Sequence, residues 1–228
     1  MTSTIKINAL ETGAATLNVG EAGQNVIIGA DSIKNNVVKD AGGNAIFTSD
    51  GSGVLSGLNA AFGSASTLVS TTTASNTASV TYTLTNTYNE YIFECISINP
   101  VTDNVALQFQ VSSDGTNYDK TITSTYYVAY TTETGSPTGF VYDNQTIFKE
   151  VGNDADQACT VIMHLFNPSS TTYIKNFFAR GVGSLYHQYV QDQFSAGYIN
   201  DTTAMTSIRF KMSSGNINAG KIKMYGIK

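Results

Sequence analysis

From about residue 79 onward, apolar and polar residues alternate in short runs separated by turn-forming residues. In the clearest run, every second residue is apolar, namely Val105, Leu107, Phe109 and Val111. The residues between them have small or amide side chains. A period of two residues is typical of strands with one buried face. Strands are expected at 80–84, 91–98, 105–111, 124–131, 144–150, 158–166, 173–182, 185–193, 205–212 and 220–228. Nine or ten such strands predict an all-β domain over residues 79–228, a two-sheet sandwich of the jelly-roll kind.

Residues 1–63 carry a different pattern, in which bursts of two or three apolar residues recur between Gly- and Asp-rich turns. The bursts are marked by Val19, Ile28, Val38, Phe47 and Leu55. Short strands at regular spacing predict rungs or hairpins. One chain cannot cover the apolar edge of such rungs, whereas three chains around a common axis can. We therefore expect an oligomerisation arm, either an intertwined β-shaft or an arm draped over a neighbouring subunit, with a flexible Gly-rich arm as the alternative.

Between these regions, residues 64–78 consist mostly of Ser, Thr and Ala. Such low-complexity composition is typical of a linker. An extended strand leading into the domain is the alternative, and both remain open from the sequence.

Composition supports the all-β prediction and excludes several partners. The chain has 228 residues, of which 13% are charged and 41% hydrophobic, and it is rich in Ser, Thr, Asn and Gly, which disfavour helices. The net charge is −5, and no run of Lys or Arg suggests nucleic-acid binding. No apolar run reaches the length of a membrane helix, and the N-terminus lacks the pattern of a signal peptide. Cys95 and Cys159 lie in apolar runs and are expected to be buried and reduced.

Candidate catalytic and metal-binding groups are few. They are two carboxylate pairs, two histidines and an oxygen-rich turn: Glu90 with Glu94, Asp154 with Asp156, His164, His187, and residues 114–119. The first pair would lie about 13 Å apart on one strand face, wider than glycoside hydrolysis requires. The second pair lies in a turn, and neither histidine has a partner at metal-ligand spacing. We expect no enzymatic activity, no cofactor and no metal, and a polysaccharide depolymerase is the least favoured function.

Aromatic residues cluster in two regions near amide side chains. They are Tyr126, Tyr127, Tyr130, Tyr186, Tyr189, Phe194 and Tyr198. Flat aromatic faces beside Asn and Gln can stack on sugar rings, which makes these residues candidates for glycan contact. The alternative is that they fill the sandwich core or an interface between subunits.

Three segments of the chain carry recognisable motifs: GKIKMYGIK at 220–228, YNEYIFEC at 88–95 and LQFQVSSDGTNYD at 107–119. Together they resemble segments of structural proteins of tailed phages, especially marine and cyanobacterial ones. Residues 220–228 read GKIKMYGIK and resemble the closing strand G-x-I-x-[LM]-Y-G-I-K of that group. Residues 88–95 resemble its Y-x-x-Y-x-F segment, which is followed there, as at 99–104 here, by an Asn- and Pro-containing turn. Residues 107–119 resemble a third segment, a strand ending in an S-D-G turn.

The resemblance implies a location on the virion, as a tail-fibre, head-fibre or capsid-associated subunit. We therefore expect a non-enzymatic homotrimer that contacts other virion proteins, is assembled in the host cytoplasm and is released by lysis. A module that binds host surface polysaccharide is the alternative function. The closing strand is expected to be held within a sheet, because its Lys residues alternate with apolar ones.

Overall fold

A computed structural model describes residues 37–39, 42, 44–49, 55–56, 66–131, 138–142 and 145–228. The chain divides into two compact units, Met1–Ala61 and Phe62–Lys228. All regular structure in the described residues is β-strand. This confirms the all-β prediction, which followed from the scarcity of good helix formers and the abundance of β-branched residues.

The first unit contains a three-stranded antiparallel sheet. Its strands are β1 (Val37–Lys39), β2 (Ala45–Ser49) and β3 (Leu55–Ser56), paired in the order β1-β2-β3.

Two of the predicted arm residues meet in this sheet, since Val38 pairs with Phe47 across β1 and β2 and both side chains are half-buried. Leu55 begins β3. Val19 and Ile28 lie outside the described residues. The role of all five in oligomerisation stays a prediction.

The second unit contains twelve strands among its described residues. They are β4 (Ser66–Thr77), β5 (Val80–Thr83), β6 (Glu90–Pro100), β7 (Val105–Ser112), β8 (Ile122–Thr131), β9 (Thr138–Tyr142), β10 (Thr146–Val151), β11 (Cys159–Phe166), β12 (Lys175–Ser184), β13 (Val190–Ile199), β14 (Ser207–Met212) and β15 (Ile217–Ile227). They form an antiparallel eight-stranded sheet, ordered β4-β15-β6-β11-β12-β13-β8-β9, and an antiparallel four-stranded sheet, ordered β10-β7-β14-β5.

The two sheets pack face to face around one core. Phe93 on β6 meets Phe210 on β14, with ring centroids 5.1 Å apart, and Phe109 on β7 meets Phe177 on β12 at 4.8 Å. The Tyr82 hydroxyl crosses the core from β5 and donates to the Ile222 carbonyl oxygen at 2.7 Å. The unit is therefore a two-sheet β-sandwich, as the alternating pattern predicts.

Residues 66–77 form a strand of the sandwich and not a linker. β4 pairs along its length with β15, from Thr77 opposite Ile217 to Ser66 opposite Ile227. Thr is β-branched and favours the pleated backbone, so a Ser/Thr-rich segment can serve as a strand once a neighbour supplies its hydrogen bonds. The second compact unit accordingly begins at Phe62, upstream of the predicted boundary at residue 79.

The strand predicted at 185–193 is shifted in the structure. Residues 185–189 form the turn between β12 and β13, closed by the Leu185 amide donating to the Tyr189 carbonyl oxygen at 2.8 Å. Gln188 has a positive φ of 64°, which the turn requires. Leu185 and Tyr189 belong to this turn and pack against the core. Their spacing therefore resembles the alternation of a strand although they do not form one. Strand β9 was not predicted at all.

Side chains close the edge of the smaller sheet. β10 is its end strand, and its outer backbone groups meet residues of β13 in place of another strand. The Lys149 amide donates to Gln193 Oε1 at 3.1 Å, and Ser195 Oγ lies 3.5 Å from the Ile147 carbonyl oxygen. Gln191 donates to the same Gln193 oxygen at 3.0 Å. This buried polar ladder satisfies an edge that would otherwise invite pairing with another chain.

Candidate interaction surface

The outer face of the eight-stranded sheet is unusually apolar. Residues alternate along each strand, so every second side chain points away from the core. On β8, β11, β12 and β13, several of these outward positions hold large exposed apolar residues, which we call the apolar face: Tyr127, Ile162, Phe178, Val182, Val190 and Phe194. An antiparallel sheet normally presents a polar face to water. The larger sheet therefore carries large apolar side chains on both of its faces.

Strand register gathers these side chains into rows. Across β11, β12, β13 and β8, Ile162 pairs with Arg180, Arg180 with Phe194, and Phe194 with Tyr127. The Arg180 guanidinium carbon lies 4.7 Å from the centroid of the Phe194 ring, in cation–π geometry. One row further, the ring of Phe178 stacks on that of His164 at 4.4 Å with an 18° angle between planes. The rows place rings and aliphatic side chains next to one another, with Arg180 and His164 stacked against them.

Most of the charges on the outer face of this sheet are paired within the chain. Arg180 binds Asp192 through two hydrogen bonds, Nε to Oδ1 at 3.2 Å and Nη2 to Oδ2 at 2.8 Å. The hydrogen bond to this carboxylate raises the pKa of the guanidinium above its ordinary value. His164 Nδ1 meets Glu90 Oε1 at 2.5 Å. These pairs leave the face with little need for an oppositely charged partner.

A third carboxylate on the same sheet is also engaged. Glu94 Oε2 accepts a hydrogen bond from the Tyr225 hydroxyl at 3.2 Å and lies 3.5 Å from Lys223 Nζ. Glu90 and Glu94, the pair considered for hydrolysis, thus each have a structural partner.

The outer face of the four-stranded sheet has the opposite character. Apart from the small Ala106, its outward positions on β5, β7 and β14 are polar or charged: Thr81, Thr83, Gln108, Gln110, Arg209 and Lys211. Arg209 donates twice to Gln110 Oε1, at 2.8 and 2.6 Å, and stacks over Tyr118. The sandwich therefore has one hydrated outer face and one apolar outer face.

The structure separates the aromatic residues predicted for glycan contact. Tyr127 and Phe194 are neighbours on the apolar face and line a shallow groove together with Phe178. Tyr126 points the other way. It is only 7% exposed, and Lys149 Nζ lies 4.9 Å from its ring centroid. Adjacent residues of a strand face opposite sides of the sheet, so the ring of Tyr126 is turned away from the apolar face. Its role in glycan contact stays a prediction.

The remaining aromatic candidates lie elsewhere. Tyr186 and Tyr189 belong to the turn after β12, where His187 stands between them with ring centroids 3.5 and 5.8 Å away. Tyr198 is half-buried near the end of β13, opposite Thr123. Tyr130 lies on β8, and its side chain is outside the described residues. The candidates therefore do not form one site.

The sequence contained a signal for the residues that were missed. Ile162 and Phe178 sit in runs where apolar residues occupy both phases of the strand, at 161–166 and 177–179. Such continuous runs are typical of strands buried on both faces. These runs therefore indicate strands whose outward residues are apolar as well as their inward ones.

The oxygen-rich turn is a backbone cap. The Asp114 carboxylate accepts hydrogen bonds from the Thr116 and Asn117 amides at 2.8 and 2.7 Å and from Ser112 Oγ at 2.7 Å. The hydrogen bond from the Asn117 amide, followed by that from Ser112, holds the pKa of Asp114 well below its usual range. Within the ranges that the structure describes, no group of three or more His, Cys, Asp or Glu residues is placed to hold a metal.

A second anchored carboxylate lies in the loop after β13. Asp201 Oδ2 meets Lys120 Nζ at 2.7 Å, and this contact lowers the pKa of Asp201 to about 2. The fully buried Lys175 donates to the Asp201 carbonyl oxygen at 3.0 Å, and its burial lowers its pKa. The cluster joins β12 to the loop after β13.

Cys95 and Cys159 are both buried and unpaired, as the sequence predicts. Burial raises the pKa of the Cys159 thiol to about 12 and also raises that of Cys95. Thiolates are the reactive form of cysteine. Both thiols are therefore expected to react slowly in the folded protein.

Among the residues described, none belongs to a helix with the length and hydropathy to span a bilayer. No family model, curated protein or solved structure matches the chain.

Proposed function

We propose that this chain is a non-enzymatic structural subunit of a tailed-phage particle, a homotrimeric fibre or surface-decoration protein. The observation that carries the proposal is the difference between the two outer faces of the sandwich. A monomer in water rarely leaves so many large apolar side chains on one flat surface. Such a face fits a protein that associates with other copies of itself or with other virion proteins.

The sandwich is proposed to be a jelly roll with additions. Support comes from the path of the chain between the sheets. β5, β7, β10 and β14 lie in the smaller sheet, while β6, β8, β9 and β11 lie in the larger one. Eight strands shared in this way fit two Greek keys. β12 and β13 then form an inserted hairpin, and β15 and β4 extend the larger sheet.

The virion location rests on the sequence resemblance. The segments that carry it form β6, β7 with its following turn, and β15. β15 is held between β4 and β6, in agreement with a closing strand locked into its sheet. The predicted arm over residues 1–63 would attach the subunit or add to its trimer contacts.

Mass photometry of the full chain tests the trimer. At micromolar concentration we expect a species near 73 kDa, three times the 24.3 kDa of one chain. Cryo-electron microscopy of intact particles should place its density on capsid, neck or tail. A species of 24.3 kDa alone, with no corresponding density on the particle, would contradict the proposal.

A receptor-binding module is the second candidate function, favoured by the groove that Tyr127, Phe178 and Phe194 line. If the groove binds host polysaccharide, a glycan array should detect the full chain, and Tyr127→Ala should remove the signal. Tyr173→Ala is the matched control, because Tyr173 is 72% exposed in a loop and does not line the groove. Equal binding by both variants would argue against this function.

A further inference from the structure

We infer that copies of this chain contact one another through the apolar face of the eight-stranded sheet. The sandwich itself then holds the oligomer, in addition to any contact made by the arm. This inference rests on the proposed homotrimer and specifies its contact surface.

The charge distribution identifies a second copy as the occupant. The whole chain carries −5, so two copies repel each other on average. The outward side chains of the eight-stranded sheet nevertheless include three cationic and three acidic residues: Arg180, Lys221 and Lys223, with Glu90, Glu94 and Asp192. The face is thus electrically balanced, and an identical face can approach it without like-charge repulsion. A strongly charged partner would gain nothing here, because most of these charges already have partners in the chain.

The size of the face agrees with this occupant. Six strands from β15 to β8 at about 4.8 Å spacing, over about seven residues at about 3.3 Å, span roughly 650 Å² before side-chain relief. A stable protein–protein contact buries about 800 Å² per partner. The outer surface of these six strands, which includes the apolar face and the charged side chains beside it, is therefore close to the size of a specific interface.

The position of the face suits a closed assembly around an axis. Phe178 and Val182 lie on β12, which has neighbours on both sides in the middle of the sheet. They are 45% and 51% exposed. Three copies that turn this strand toward a common axis would enclose its apolar side chains in a shared core. Interfaces of this kind place aromatic and aliphatic anchors at the centre and polar groups at the rim.

A labelling experiment with the full chain tests the contact. Val182→Cys places a thiol at the centre of the face, and Thr81→Cys places one on the outer face of the smaller sheet. Cys95 and Cys159 are fully buried and contribute little background. Maleimide labelling is followed in concentrated, oligomeric samples and in samples diluted to monomer.

We expect Val182→Cys to label at least tenfold more slowly in the oligomer than in the diluted monomer, and Thr81→Cys to label equally in both. Equal labelling of Val182→Cys in both states would overturn the inference while leaving the oligomer intact. Protection of Thr81→Cys instead would also overturn it, by placing the contact on the opposite face. A wild-type chain that is monomeric at every concentration would remove both the inference and the proposed homotrimer.

A second variant measures the energetic role of the face. Phe178→Glu is expected to raise the protein concentration at which half of the oligomer dissociates by about 30-fold or more, as for a central interface residue. Thr81→Glu makes the same change in charge on the other sheet. It should leave the concentration at half-dissociation within about twofold of the wild-type value. Equal concentrations for the two variants would count against the inference. A dimer that loses its association in Phe178→Glu would support the contact face and contradict only the number of subunits.

Discussion

Replacing Phe93 by alanine is expected to lower the free energy of unfolding by about 3–5 kcal/mol. Phe93 is fully buried at the centre of the sandwich. Its ring packs against Phe210 of the opposite sheet at 5.1 Å, Tyr82 at 6.0 Å and Tyr91 at 6.4 Å. Removing it leaves a cavity between the sheets that these rings cannot easily fill. Since domains are stable by about 5–15 kcal/mol, this loss is a large part of the total.

Urea denaturation followed by circular dichroism measures the effect, on samples dilute enough to be monomeric. Phe178→Ala is the matched control, because it removes the same ring from the outer face of the same sheet. There the loss should stay below about 1 kcal/mol in the monomer. Similar losses for the two variants would mean that Phe93 is not at the centre of the core.

Gly220→Ala is expected to cost about 3 kcal/mol, from left-handed backbone strain and overpacking together. Gly220 has a φ of +131°, which residues with a side chain rarely adopt. An added Cβ would lie 2.8 Å from the Ser97 carbonyl oxygen and 3.0 Å from the Ile98 Cα. Because these contacts are with the backbone of β6, the neighbouring strand would have to move.

Gly115→Ala separates the two causes. Gly115 also has a positive φ, +79°, but nothing lies within 4 Å of an added Cβ. It should therefore show only the conformational cost, about 1 kcal/mol. Thermal unfolding of both variants gives the comparison. If Gly220→Ala were no more damaging than Gly115→Ala, close packing between β15 and β6 would not explain the glycine.

Much of the fold was predictable, because a strand with one buried face shows alternating apolar and polar residues in its sequence. β7 is the best case, since its predicted inward residues Val105, Leu107, Phe109 and Val111 are all buried. The prediction failed where composition and pattern gave a misleading signal. β4 resembles a linker because its stability as a strand comes from β15, which lies far away in sequence. The turn at 185–189 resembles a strand because its apolar residues pack against the core.

The candidate surface was harder to predict, since it depends on register between strands. Tyr127 and Phe194 were both proposed as contact residues, but only the pairing of β8 with β13 makes them neighbours. Tyr126 and Tyr127 look equivalent in the sequence and face opposite sides of the sheet. A shift of one position along the strand decides which ring lies on the outer face of the sheet and which is buried.

The pairing of β4 with β15 has a consequence for biosynthesis. Thr77 and Ile217 pair across 140 positions of chain, and β4 has no other neighbour in its sheet among the described strands. At about 5–20 residues per second, a ribosome needs roughly 7–28 s to make the intervening segment. During that interval β4, which contains no charged residue, stays unpaired on the nascent polypeptide. Co-translational folding of this unit is therefore delayed until β15 emerges, and a chaperone that shields β4 until then should raise the yield of native protein.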